Sequence, residues 1–296
     1  MYKNLYLGYL KENIVAKFIF ANAILYIFLL FVGLFSMLFN TADMARALLS
    51  FLELPASLVQ LASRPWTLFT YMFVHADIWH LLWNMLALYL FGRLFMNFYS
   101  VRQFAGIYIY GGFFGAVFYI VAYNTFPYFA PVLGGARLVG ASAAVMAVIV
   151  ATAVRSPQYR ISLLFIGSVK LSTLAIVAVV MSFLMLSGNN AGGNFAHLGG
   201  AFAGWLIAYL LNKGFDAVSP LCRPWDWVTS LLKRPTVSRK GKFTYVKGER
   251  SADYEYNARK KADEAEVDRI LEKIKKGGYA SLSEDEKRRL FEASSK

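Results

Sequence analysis

Cysteine is almost missing from this sequence: Cys222 is the single one in 296 residues. It has no partner for an internal disulfide, which excludes a disulfide-stapled scaffold. Charge is nearly missing from residues 1–212, which carry 11 basic and 4 acidic side chains. A water-soluble domain has about 25% charged residues, so this stretch is not one. Histidine is scarce too, since His75, His80 and His197 are the only three and all lie in that charge-poor stretch. Residues 213–296 reverse the picture, with 20 basic and 14 acidic side chains, far too many for lipid. The composition therefore reads as a polytopic membrane domain followed by a polar tail. It excludes a soluble enzyme, a disordered chain and a collagen. The net charge of +13 does not point to nucleic acid, because basic residues that flank membrane spans fix their orientation. No nucleic-acid partner is expected; the partner implied is the lipid bilayer.

Apolar runs supply the rest of the organisation. A membrane helix needs about 20 apolar residues, and residues 18–39 meet that without ambiguity. The run is too long for the core of a cleavable leader and closes on no small-residue cleavage site. Five more candidates lie at about 78–97, 103–123, 141–154, 168–187 and 194–212, the fourth being short. Six spans put both termini on one side. Lys3, Lys11, Lys17, Arg93, Arg102, Arg155, Arg160 and Lys170 fall on that side, against Arg46, Arg64 and Arg137 on the other. Positive charge stays inside, so both termini are expected in the cytoplasm and the protein in the cell inner membrane. The expected organisation is a cytoplasmic segment 1–17, a six-helix membrane domain 18–212, a basic linker 213–250 and a cytoplasmic helical module 251–296. Residues 40–77 read as a long outer loop, apolar enough to lie in the membrane interface.

Ionisable and polar groups inside spans are costly and mark function. On this topology His80 and Asn84 lie near the outer start of span two. Ser142 lies in the first turn of span four, and His197 in the first turn of span six. Four polar side chains thus share one depth. His80 and Asn84 are four residues apart and face one way along their helix. Gly140-Ala141-Ser142-Ala143 puts a serine at a helix N-terminus, where free backbone N–H groups can hold an oxyanion. Gly200 and Gly204 form a small-residue face that admits a second helix closely. Each feature has an ordinary reading: Ser142 as a helix cap, His197 as an interhelical hydrogen bond, Asn84 as glue between helices and the glycines as packing. Their shared depth points to acyl transfer, with a nucleophile, a base and oxyanion donors.

At these residues the sequence resembles the rhomboid family of intramembrane serine proteases. The resemblance covers about 60–212. It rests on RPWTLFTYMFVH followed by His80-Leu81-Leu82-Trp83-Asn84, then Gly140-Ala141-Ser142-Ala143, then Ala196-His197-Leu198-Gly199-Gly200 with Gly204. It implies an all-α fold, with a six-helix rhomboid-like bundle and a small cytoplasmic helical hairpin. It also implies a Ser142–His197 dyad with no acidic third member. His80, Asn84 and the Ser142 backbone N–H would hold the oxyanion. Transmembrane proteins would be the substrates, and no cofactor or metal would take part. Where the family often has Trp-Arg this chain has Trp66-Thr67, and Met146 stands where many members carry an aromatic ring beside the histidine. The alternative is a catalytically inactive rhomboid-like adaptor or chaperone, against which the presence of both Ser142 and His197 argues. A transporter would favour charges deep in the membrane, which these spans lack.

The tail resembles a small module that accompanies some bacterial rhomboids. Its helical pattern runs from about 254 to 276, with Val267, Ile270, Leu271 and Ile274 on one face and Gly277-Gly278 as the stop. Ser283 and Glu286 make a capping box for a second helix with apolar Leu290 and Phe291. The expected form is a hairpin that docks a partner or contacts anionic lipid, the alternative being a solvated, partly disordered tail.

Overall fold

The computed structural model describes residues 13–163, 167–188, 190–220 and 265–294. The chain divides into two compact units, 1–232 and 233–296. The first is mostly helical and polytopic. Helix α1 (Ile14–Leu38) opens where Asn13 Oδ1 accepts the Ala16 N–H at 3.2 Å. It has few buried side chains, Val15, Asn22 and Ser36 among them. Asn22 is held by donating its amide to the Phe18 carbonyl and to Tyr108 Oη.

The connection that follows α1 is more ordered than a loop. Residues 42–73 form α2 (Ala42–Leu52), β1 (Leu54–Pro55), α3 (Leu58–Ser63), α4 (Thr67–Thr70) and a 3₁₀ turn at Tyr71–Phe73. α2 leaves Met44 and Phe51 exposed, consistent with a helix lying along an interface rather than in water.

Three further long helices follow: α5 (Ile78–Phe95), α6 (Val101–Thr125) and, at the far end of the unit, α9 (Ala191–Asn212). With α1 these are the four described helices long and apolar enough to cross a membrane. Between α6 and α9 lie two shorter apolar helices, α7 (Ser142–Arg155) and α8 (Leu171–Leu184, continued by a 3₁₀ turn to Ser187). Each of the six apolar runs is therefore a helix. α7 is the hub, packing against α5, α6, α8 and α9. Residues 143–148 and 150–153 are all buried. At 1.5 Å per residue its 14 residues reach about 21 Å, short of the ~30 Å hydrocarbon layer. A helix walled by protein can stop inside the apolar layer, and its first residue is Ser142.

Two antiparallel pairings pin the connections. β1 pairs with β2 (Arg137–Leu138), Leu54 facing Leu138, and the Ala56 N–H donates to Ala136 O at 3.1 Å. The connection after α1 is thereby tied to the strand that leads into Ser142. The turn after α7 is a hairpin of β3 (Arg160–Leu163) and β4 (Gly167–Lys170), which the sequence did not announce.

In the second unit the described residues 265–277 belong to helix α10, and α11 spans Glu284–Ser294. Gly278 turns the chain at φ +72° and returns its N–H to Ile274 O at 2.8 Å. The capping box is formed: Glu286 N–H donates to Ser283 Oγ, and Ser283 N–H donates to Glu286 Oε2 at 2.8 Å. Ile270 and Leu282 are buried, whereas Leu271 is 48% exposed. Leu271 is not on the core face, because an 11-residue partner helix covers only a narrow stripe. The helical pattern read over 254–264 and the linker 221–250 lie outside the described residues.

Candidate active site

Ser142, His197, His80 and Asn84 all line one cavity of about 800 Å³, together with Met146 and Arg137. The four come from three helices, and each is aimed by local chemistry. Asp77 caps α5, its Oδ1 accepting the His80 backbone N–H at 2.8 Å. One turn on, buried Asn84 donates one amide hydrogen to His80 O at 2.8 Å. An Asn amide has two hydrogens, so the second remains for a ligand in the cavity.

Gly140 fits the ring of His80 against the serine. Its φ is +117°, a value L side chains rarely adopt. A Cβ there would sit 2.6 Å from His80 Nε2 and 3.8 Å from Ser142 Oγ. The Gly140 N–H donates to Tyr71 O at 3.0 Å, while Tyr71 Oη donates to Gly112 O of α6 at 2.7 Å. Tyr71, buried under the site, thus fixes the loop that delivers Ser142. As the first residue of α7, Ser142 has a backbone N–H with no intrahelical acceptor.

The seam between α7 and α9 sets the distance from Ser142 to His197. A Cβ on Gly200 would lie 2.0 Å from Ala143 O, and one on Gly204 would lie 2.3 Å from Ala147 O. Neither position has room for a side chain, so α9 rests directly on the α7 backbone and His197 enters the cavity one turn before the contact. Among the described residues, no hydrogen bond joins Ser142 Oγ to the His197 ring. Such bonds are often loose before a substrate binds.

Two residues escaped the sequence reading. Ser182, near the end of α8, lies 3.3 Å from His197 Nδ1 through its Oγ. The available signal was a lone hydroxyl in the apolar run Val179–Leu186, at the end of its span nearest α9. Asn194, also buried, donates to Met185 O at 2.7 Å. Thr67, in place of the expected arginine, is wholly buried and donates Oγ1 to Arg64 O at 2.7 Å. Met146 is buried against Leu171, Ala175 and Ala201, filling the wall where an aromatic ring was looked for. His75, the third histidine, is buried edge-on to His80 at 5.1 Å between centroids.

Residues 62–214 match the family model of the Rhomboid domain. Residues 250–296 match a family of unknown function, DUF6576. Over 157 residues the chain is 29% identical to "RHOMBOID-like protein 12, mitochondrial" of Arabidopsis thaliana, covering 50% of this chain and 47% of that protein. The chain thus spans about half the length of that relative.

Proposed function

This chain belongs to the rhomboid family, and from that premise we propose that it is an intramembrane serine endopeptidase. Ser142 is its nucleophile and His197 its base. The observation that carries the reading is the convergence of Ser142, His197, His80 and Asn84 on one cavity. A serine hydroxyl is a weak nucleophile until a base takes its proton. Ser142 Oγ attacks the scissile carbonyl carbon as its proton passes to His197. The carbonyl oxygen becomes an oxyanion, held by the Ser142 N–H, the free Asn84 amide hydrogen and the His80 ring. Collapse breaks the C–N bond, and His197 hands the proton to the departing amine. Water then enters, His197 takes its proton, and a second oxyanion collapses to release the acid and restore Ser142.

The substrates are transmembrane proteins, and the sparse buried contacts of α8 fit a wall through which a helix could reach the cavity. The charge bias supports a multi-pass protein of the inner membrane with both termini in the cytoplasm. The test is cleavage of a model transmembrane substrate in proteoliposomes. Ser142→Ala and His197→Ala are each expected to abolish cleavage while the protein purifies with unchanged thermal stability. The double variant is expected to be no worse than either single, since the pair acts as a unit. Cleavage by Ser142→Ala at the parental rate rejects Ser142 as the nucleophile, whereas a folded parental protein that does not cleave favours an inactive adaptor.

A further inference from the structure

A histidine base in acyl transfer needs a partner that fixes which ring nitrogen carries the proton. In a Ser-His-Asp site a carboxylate does this. Here none is available on the nearby helices, because the sequence has no Asp or Glu between Asp77 and Asp216. Ser182 stands in the place such a partner would take, its Oγ 3.3 Å from His197 Nδ1.

The hydrogen bonds of Ser182 decide its role. A hydroxyl has one proton to give and lone pairs to accept with. Ser182 gives its proton to Ala178 O, at 2.9 Å, in its own helix. With its proton placed there, Ser182 turns a lone pair toward His197, an arrangement that pairs with a protonated Nδ1. The bare lone pair is then on Nε2, the other ring nitrogen of a side chain that lines the cavity with Ser142.

The placement of Ser182 is built into α8. The buried residues of that helix are Leu171, Ala175 and Ser182, spaced i, i+4 and i+11, which is one stripe of a 3.6-residue helix. The stripe that docks α8 also aims Ser182 inward. A second polar contact lies one turn away, where Asn194 donates to Met185 O. The pairs 182–197 and 185–194 step in opposite directions along two antiparallel helices, so they share one register. A neutral hydroxyl also suits the site, because a carboxylate buried in the membrane would carry a large desolvation cost.

We propose that Ser182 is a positioning residue for the base: its Oγ accepts from His197 Nδ1–H and fixes the tautomer whose Nε2 takes the Ser142 proton. This rests on the Ser142–His197 dyad proposed above. The test uses full-length protein in detergent, labelled with ¹⁵N-histidine, and long-range ¹H–¹⁵N spectra of its three rings. The His197 signal is identified by its loss in His197→Ala. The parental ring is expected as the Nδ1–H tautomer. Ser182→Ala is expected to shift it to Nε2–H or to a mixture. It should lower kcat about tenfold or more and leave KM within about twofold. Ser182→Thr, which can make the same bond back to Ala178 O, is expected to restore both readouts. Asn194→Ala, which loosens the same helix pair without touching the ring, should keep the Nδ1–H tautomer. A parental ring in the Nε2–H form overturns the proposal. So does a Ser182→Ala protein with parental tautomer and kcat, or an Asn194→Ala protein with the same tautomer loss. Failure of the dyad itself reads differently: His197→Ala would still cleave, whatever tautomer the parental ring adopts.

Discussion

The seam between α7 and α9 and the seam between α10 and α11 join helices by opposite means. In the membrane unit the contact is backbone on backbone: Gly200 and Gly204 face the carbonyls of Ala143 and Ala147. In the tail it is side chain on side chain. Lys273 pairs with Glu286 at 2.8 Å over buried Ile270 and Leu282. The difference follows from the solvent. Lipid gives apolar side chains no reason to leave it, so helices associate through close approach and shape. In water, a helix of 11 residues such as α11 is too short to persist alone, and a small apolar core with polar clamps holds it against α10. Contacts of the first kind admit no substitution. Those of the second are individually weak and replaceable.

The strongest test of that contrast is Gly200→Val. A Cβ at this position meets Ala143 O at 2.0 Å, and main chain cannot move aside cheaply. The variant is expected to lose the folded membrane unit, seen as aggregation during detergent purification and complete loss of cleavage. A Gly200→Val protein of parental thermal stability would break the comparison at its firmest point.

Smaller in effect, Asn84→Ala is expected to keep the bundle and to remove one of the proposed oxyanion donors. Turnover is expected to fall about 10²–10³-fold, measured on a transmembrane substrate, with thermal stability nearly unchanged. Parental turnover would restrict Asn84 to its bond with His80 O.

The smallest effect belongs to the tail and depends on pH. Lys273, through a direct hydrogen bond, and then the Ser283 N–H hold the Glu286 carboxyl down at about 2. An unfolded Glu titrates near about 4.3. A depressed folded value gives stability that is present above the unfolded value and lost as pH falls through the folded one. Backbone NMR of the full-length protein should therefore show the hairpin amides of 265–294 broadening between about pH 4 and 2. Glu286→Gln should weaken the hairpin at neutral pH and flatten this acid transition. An unaltered acid transition in that variant would mean that other carboxylates carry it.

How far the sequence revealed these features depends on the length of each signal. Apolar runs of about 20 residues and the Gly200/Gly204 spacing are long, periodic signals, and both correspond to elements of the structure. Ser142 was marked by its place after Gly140 at the start of an apolar run. The ordered connection 42–73 was hidden because two-residue strands have no period and the partner of Leu54, Leu138, is 84 residues away. The β3–β4 hairpin was hidden for the same reason, Arg160 and Lys170 reading only as charges in a turn. Leu271 was misplaced because helical spacing tells which residues share a stripe but not how wide the partner is. Ser182 was passed over because a hydroxyl in a span commonly bonds back to its own helix, as this one does to Ala178. Only the packing of α8 on α9 brings His197 to its free lone pair.

The most direct measurement of the central claim is site-resolved mass spectrometry of the purified protein after reaction with a fluorophosphonate. The account predicts a single stable adduct on Ser142, absent in Ser142→Ala and strongly slowed in His197→Ala. A folded protein that takes no adduct, or takes it on another serine, would contradict it.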